Sequence, residues 1–365
     1  MKVVSRILIL LLALVLVVAG VFTGVYFTRI QTVSSIRKVT SYDDYNLYSM
    51  NVQYDYSLDD VINAGITDTQ SLIDAIVGEA LPLLPVKVRV PSFGCSAFTA
   101  QTADGKTLMG RNYDFKNDTS ALLVYCTPKN GYKSVALAAL DNISANDPLA
   151  GLKSKLPCLT APFICLDGMN EKGVSIAVLT LDSEPTVQST GKRAIGTSLA
   201  IRLVLDQAAT TQEAVDLLRG YDMIASNGRD YHFYITDASG DGRIVEYDCL
   251  SETRELVDTP IRSITNFFAL YADRVQPDQK NDIFGHGKER YEKIEAILTA
   301  AADSITEDDA WDALKAASQL PKEGDVTSNT QWSALYNDTD LTLDLVLRRD
   351  WDVVTSYSLT ENAIR

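Results

Sequence analysis

Residues 91–115 read PSFGCSAFTAQTADGKTLMGRNYDF, and the fold turns on how this stretch is parsed. CSAFTAQT and KTLMGRNYDF have the length and residue types of strands, and Ala103-Asp104-Gly105 between them supplies the turn of a β-hairpin. One cysteine, Cys95, stands directly after Gly94 at the head of the first strand, and the returning strand carries Arg111 and Asp114.

The same texture recurs downstream. FICLDGMNEKGVSIAVLTL (163–181) reads as a second hairpin turning at Asn170-Glu171-Lys172-Gly173, and DYHFYITDASGDGRIVEYD (230–248) as a third with a Gly-rich turn. RSITNFFAL (262–270) is a short strand, and WSALYN and DLTLDLVLRRD close the chain as strands. Helical periodicity occupies residues 57–84, 195–220 and 287–318. In the first of these, Thr67-Asp68-Thr69-Gln70 has capping-box spacing, Leu72, Ile73, Ile76, Val77 and Ala80 share one face, and Pro82 and Pro85 stop the helix. VKVRV (86–90) alternates as a strand does, and the Tyr-rich residues 28–56 read as a linker or extended segment. With no strand–helix–strand alternation and no GxGxxG, the pattern predicts an α+β fold, helices packed on antiparallel sheets.

Bulk properties narrow the function. The 365 residues carry a net charge of -15, which argues against nucleic acid or an anionic membrane surface as partner. Residues 7–27 contain no charge and are long enough to span a bilayer as a helix. An uncleaved anchor, with the rest of the chain outside the cytoplasm at the cell membrane, is the leading expectation; a cleaved secretory signal is the alternative. Five cysteines leave at least one unpaired, and with two histidines a zinc site is poorly supported. Nothing points to a metal or organic cofactor.

A thiol nucleophile needs a base or a lowered pKa. His232 lies within a strand pattern and His286 in the turn Gly285-His286-Gly287, neither in the setting of a Cys–His peptidase. Cutting the chain at Gly94–Cys95 supplies another base, the new α-amine, whose ordinary pKa of about 7.7–8.0 suits a general base near neutral pH. The hairpin returns Arg111 and Asp114 toward that terminus, the Arg to favour thiolate and the Asp to hold the amine. The competing reading is a surface Arg–Asp pair beside a buried cysteine.

Cys95 through GRNYDF resembles the start of the choloylglycine hydrolase family of N-terminal nucleophile hydrolases, the linear amide C–N hydrolases that include bile salt hydrolases and penicillin V acylases, with acid ceramidase and N-acylethanolamine acid amidase as relatives. DGMNEKGVSIAVLTL is similar to the family's second signature, YHFYITDASGDGRIVEYD with SITNFF to a third, and TQWSALYNDTDLTL to the end of the domain. The resemblance runs in order over residues 95–350. It implies an αββα sandwich of antiparallel sheets flanked by helices, with Cys95 as nucleophile and its α-amine as base, Arg111 and Asp114 tuning them, and Asn266 stabilising the oxyanion. Where bile salt hydrolases carry an asparagine this chain has Thr180, whose backbone N–H is the expected second donor. Arg290 in KERYEKI matches a further family arginine. Otherwise Asn266 reads as a strand-end turn residue and Arg290 as an exposed helix charge.

The long stretch before Cys95 is similar to the relatives that cut themselves into two associated chains. The organisation expected is an anchor or signal over 1–28, a linker and helical propeptide or small subunit over 29–94, and a catalytic domain over 95–365. The resemblance implies hydrolysis of a small N-acyl amide after self-cleavage at Gly94–Cys95, with homo-oligomers compatible. An acyltransferase of the isopenicillin N type and a non-catalytic cell-surface binding protein are the alternatives.

Overall fold

The computed structural model describes residues 2–41, 45–82, 84, 94–302, 305–325 and 327–365. The strand expected over 86–90 lies outside them.

The chain opens with helix α1 (Lys2–Ser34) and strands β1 (Arg37–Ser41) and β2 (Asn46–Asn51). Helices α2 (Leu58–Asn63) and α3 (Thr69–Ala80) follow. The hairpin β3 (Gly94–Gln101) and β4 (Thr107–Asp114) leads to β5 (Ala121–Cys126), β6 (Ser134–Ala139) and the single turn α4 (Leu152–Lys155). The second hairpin is β7 (Asp167–Asn170) and β8 (Val174–Leu181); then come β9 (Arg193–Gly196), α5 (Thr197–Gln207), α6 (Thr211–Arg219) and β10 (Tyr221–Ile224). The third hairpin, β11 (Asp230–Asp237) and β12 (Arg243–Tyr247), precedes β13 (Leu256–Pro260) and β14 (Ser263–Ile264). Helices α7 (Lys288–Ala301) and α8 (Glu307–Ala317) separate these from β15 (Thr330–Asn337), β16 (Thr342–Leu347), β17 (Thr355–Ser358) and β18 (Ala363–Ile364).

Among the described residues the strands form a nine-stranded sheet, β1-β2-β5-β6-β7-β8-β11-β12-β13, a separate two-stranded pair, β9-β10, and a seven-stranded sheet, β14-β3-β4-β15-β16-β17-β18; the two large sheets form the sandwich. They pack face to face, β3 lying on β8 and β11. Helices α5 and α6 cover the outer face of the first sheet, and α7 and α8 that of the second. The result is the αββα layering expected. Each sheet has two buried faces, so its central strands β4, β6, β8 and β11 are buried along their whole length. Gly110 shows how tightly the outer layer closes. A Cβ built there would stand 2.2 Å from the Phe98 ring, and Phe98 belongs to the cluster that α7 and α8 cover.

The structure bears on four expectations. Residues 28–56, expected as a linker or an extended segment, take the extended form in part: their described residues complete α1 and supply β1 and β2 at the edge of the nine-stranded sheet. Secondly, the sheets are not wholly antiparallel. β2 joins β5 in parallel, as β10 joins β9, because the chain returns to β5 only after α2, α3 and the first hairpin of the other sheet. The cap of α3 is Asp68 with Ser71, one residue later than the spacing suggests. Finally, among the described residues no helix is long and apolar enough to cross a membrane, against the expected span over 7–27. The last turns of α1 are instead bound to the domain. Tyr26 and Val33 are buried, and Arg29 donates to the carbonyls of Glu79 at 2.7 Å and Ala80 at 2.9 Å. Further toward the N-terminus the helix exposes Leu10, Leu12, Leu16 and Phe22.

Candidate active site

The β3–β4 hairpin pairs Gly94 with Asp114, Cys95 with Tyr113 and Ala97 with Arg111. Side chains alternate across a strand, so Arg111 and Tyr113 face one way and Asn112 and Asp114 the other. Cys95 and Arg111 point between the sheets; Asn112 points to the helices and donates to Leu314 O at 2.9 Å. Arg111 and Asp114, three residues apart, therefore cannot form the surface pair that the competing reading supposes. Both are fully buried, and each has another partner.

Arg111 Nε lies 3.2 Å from Asp167 Oδ2 on β7, and its Nη2 donates to Val178 O at 3.0 Å. Asp167 also accepts from Trp332 Nε1 at 3.2 Å and from the Tyr336 hydroxyl. Trp332 in turn stacks on Tyr113 with centroids 4.1 Å apart. Asp114 accepts from Thr330 Oγ1 at 2.6 Å and Gln319 Nε2 at 2.8 Å, and lies 3.5 Å from Arg290 Nη1. Burial pushes both carboxyls up against the pull of these partners.

Strand β14 brings the asparagine in. Ile264 pairs with Ala97, so the next two residues carry the chain back to Cys95. There Asn266 Oδ1 accepts the Cys95 N–H at 2.9 Å and Arg290 Nη2 at 2.7 Å, while Asn266 Nδ2 donates to Thr180 O at 2.9 Å. With two donors on one side and a carbonyl on the other, the amide has one consistent orientation. Arg290 Nη1 completes the ring by donating to Cys95 O at 2.9 Å. Arg290 is 4% exposed, so it is no exposed helix charge. Thr180 contributes its carbonyl to this ring, and its hydroxyl points to Asp230 O at 3.4 Å.

In this continuous chain the Cys95 nitrogen is a peptide N–H that stands where the α-amine of a cut chain would be. The thiol is pushed up to about 12 by burial, although Arg111 beside it favours the thiolate. All five cysteines are free. Among the described residues no cluster of three or more His, Cys, Asp or Glu is placed to hold a metal.

All six residues singled out from the sequence thus meet in one buried network drawn from both sheets and α7. Sequence reasoning missed Asp167, Gln319, Thr330 and Trp332. Asp167 stands in the DGMN run of the second hairpin. A buried arginine on the hairpin demands a buried carboxylate, and that was the available signal. A polar cavity of about 550 Å³ lies beside the network, lined by Asp182, His286, Gln319, Lys322 and Thr327 among others.

The site is thus a cysteine heading an inner strand of a two-sheet sandwich between helices, with an arginine and an asparagine around it. Residues 95–266 match the linear amide C–N hydrolases, choloylglycine hydrolase family. The matched segment begins at Cys95 and ends at Asn266. No curated protein sequence matches the chain. Among solved structures it is similar to a variant of conjugated bile acid hydrolase from Clostridium perfringens, with 15% identity, TM-score 0.55, and 74% of this chain and 96% of that one covered. It is also similar to penicillin V acylase from Agrobacterium tumefaciens, with 18% identity, TM-score 0.53, and coverage of 73% and 87%. At these identities the likeness shows the fold.

Proposed function

We propose that the chain hydrolyses a linear amide bond in a small N-acyl compound, with Cys95 as nucleophile after the chain cuts itself at Gly94–Cys95. The observation that carries the reading is the double hold on Cys95. Its nitrogen is fixed by Asn266 Oδ1 and its carbonyl by Arg290, with the Arg111 guanidinium beside the thiol.

In self-cleavage, Sγ attacks the Gly94 carbonyl carbon. The peptide bond becomes a Gly94 thioester as the Cys95 nitrogen takes up a proton. Water then cleaves the thioester, leaving a Gly94 carboxylate and a free Cys95 thiol and amine. In turnover the α-amine accepts the thiol proton while Sγ adds to the substrate carbonyl, and returns a proton to the leaving amine. Water releases the acid from the acyl-thioester. Asn266 has a second Nδ2 hydrogen for the oxyanion, and the Thr180 peptide N–H is the other proposed donor. Asp114 anchors Arg290, and Arg111 holds the thiolate.

The reading extends to the rest of the chain. Residues 29–94 stay bound as a small subunit, since β2 is paired within the sheet and Tyr56 donates to Asp206 at 3.0 Å. The exposed apolar side chains of α1 attach the protein to the cell membrane, with the catalytic domain outside the cytoplasm.

The test is to express the full chain and a Cys95→Ala twin, and to take intact masses with N-terminal sequencing. The expected result is two fragments, the larger starting at Cys95, and no cut in the twin. A single uncut chain in both would remove the α-amine as base.

A further inference from the structure

We propose that the Gly285-His286-Gly287 turn positions Asn266 and Arg290, and that both histidines of the chain brace the asparagine segment rather than touch the reacting atoms. The inference rests on the roles proposed above for Asn266 and Arg290.

The turn is pressed against both residues. The His286 N–H donates to Asn266 O at 2.7 Å, and Thr265 Oγ1 donates to Gly287 O at 2.8 Å. Gly285 has φ +104°, and a Cβ there would stand 2.1 Å from Asn266 O. Gly287 has φ +83°, and a Cβ there would stand 2.3 Å from Arg290 Nη2. Both the left-handed backbone and the close approach require glycine.

The His286 ring locks this turn to two further segments. Its Nδ1 lies 2.7 Å from Asp182 Oδ2, and its Nε2 lies 3.2 Å from Thr327 Oγ1. Asp182 is two residues beyond Thr180, whose carbonyl holds Asn266 Nδ2. Thr327 O accepts from Gln319 Nε2 at 2.8 Å, the same nitrogen that donates to Asp114. One imidazole thus bridges the segments that fix Asn266 and Asp114.

His232 braces the other side. Its Nε2 lies 3.0 Å from Thr265 O and its Nδ1 3.1 Å from Glu246 Oε1. Glu246 also accepts from the Ala269 N–H at 2.7 Å and the Leu270 N–H at 3.1 Å. Asn266 therefore sits in a segment held before and after it. Each ring nitrogen of both histidines is matched to an oxygen of one of these segments.

Loss of activity on substituting a histidine does not separate a base from a brace; a double-mutant cycle does. His286→Ala, Asn266→Ala and the double variant are compared with wild type for kcat and KM on an N-acyl amide turned over by the wild type, with thermal melting as the folding control. We expect His286→Ala to lower kcat about 10- to 100-fold, with KM little changed. Once Asn266 is already Ala, removing His286 should have little further effect. His286→Gln, which keeps a hydrogen bond to one partner, should restore part of the loss, and is read in the same cycle if His286→Ala does not fold. Full kcat in His286→Ala, or effects that multiply in the double variant, would overturn the positioning role. An inactive, uncut wild type would instead sink the amidase reading, and this inference with it.

Discussion

The Cys95 N–H donates to Asn266 Oδ1 at 2.9 Å across 171 residues of chain. The same Oδ1 accepts from Arg290, which also holds the Cys95 carbonyl. The Cys95 backbone is therefore held by β14's continuation and α7 as well as by the hairpin that carries it and places Arg111 beside the thiol. This dependence sets the first expectation.

Asn266→Ala removes the acceptor that fixes the Cys95 nitrogen together with the proposed oxyanion donor. The expected loss in kcat is about 10²–10³-fold, or roughly 2.7–4 kcal/mol. Steady-state kinetics on the processed protein measure it; a wild-type kcat would remove Asn266 from the machinery.

Self-cleavage should quicken with alkalinity. Burial raises the Cys95 thiol to about 12, so below that pH the reactive thiolate is a minor species whose population grows with pH. The cleavage rate of freshly refolded chain is expected to rise about tenfold per unit between pH 7 and 9. A rate flat over that range would show that thiolate formation does not limit the cut.

Asp167→Ala leaves Arg111 charged, buried and without its carboxylate. Breaking a buried pair in this way costs about 3–5 kcal/mol. Urea unfolding of the Cys95→Ala protein with and without the second substitution reads the loss free of processing. An unchanged midpoint would mean that Arg111 finds another partner.

Gly110→Ala tests the packing under the GRNYDF run. The new methyl falls on the Phe98 ring, and overpacking of this kind costs about 1–3 kcal/mol. Combining it with Phe98→Leu should recover part of the melting temperature; additive losses would place the cause elsewhere.

The proposed small subunit should survive processing. After the cut, residues from before Cys95 are expected to co-elute with the large fragment in gel filtration. Tyr54 donates to Leu159 O at 2.6 Å and Tyr56 to Asp206 at 3.0 Å, so changing both to Ala should weaken the association. Separation of the two fragments in the unaltered protein would contradict the role given to β1 and β2.

Much of the fold is local and was legible. The three hairpins, the helix pairs at 197–219 and 288–317, and the closing strands follow from two-residue and 3.6-residue periodicity broken by turn residues. Even the separation of Arg111 from Asp114 was available, since an odd spacing on a strand sends two side chains to opposite faces. The Tyr-rich stretch reads only as a linker or extended segment because its two short strands have no period of their own to betray them. They become strands by pairing with each other and with β5.

The sequence by itself determined most of the strands and helices, and that one cysteine heads a strand with Arg111 and Asp114 on the strand that returns. Tertiary structure alone decided the partners: Asp167 for Arg111, Arg290 for Asp114, Asn266 for the Cys95 nitrogen, and the histidines for the segment around Asn266. Periodicity reports the face on which a side chain lies. What meets that face depends on sheet register and layer packing, which join residues far apart in the chain and leave no local signal.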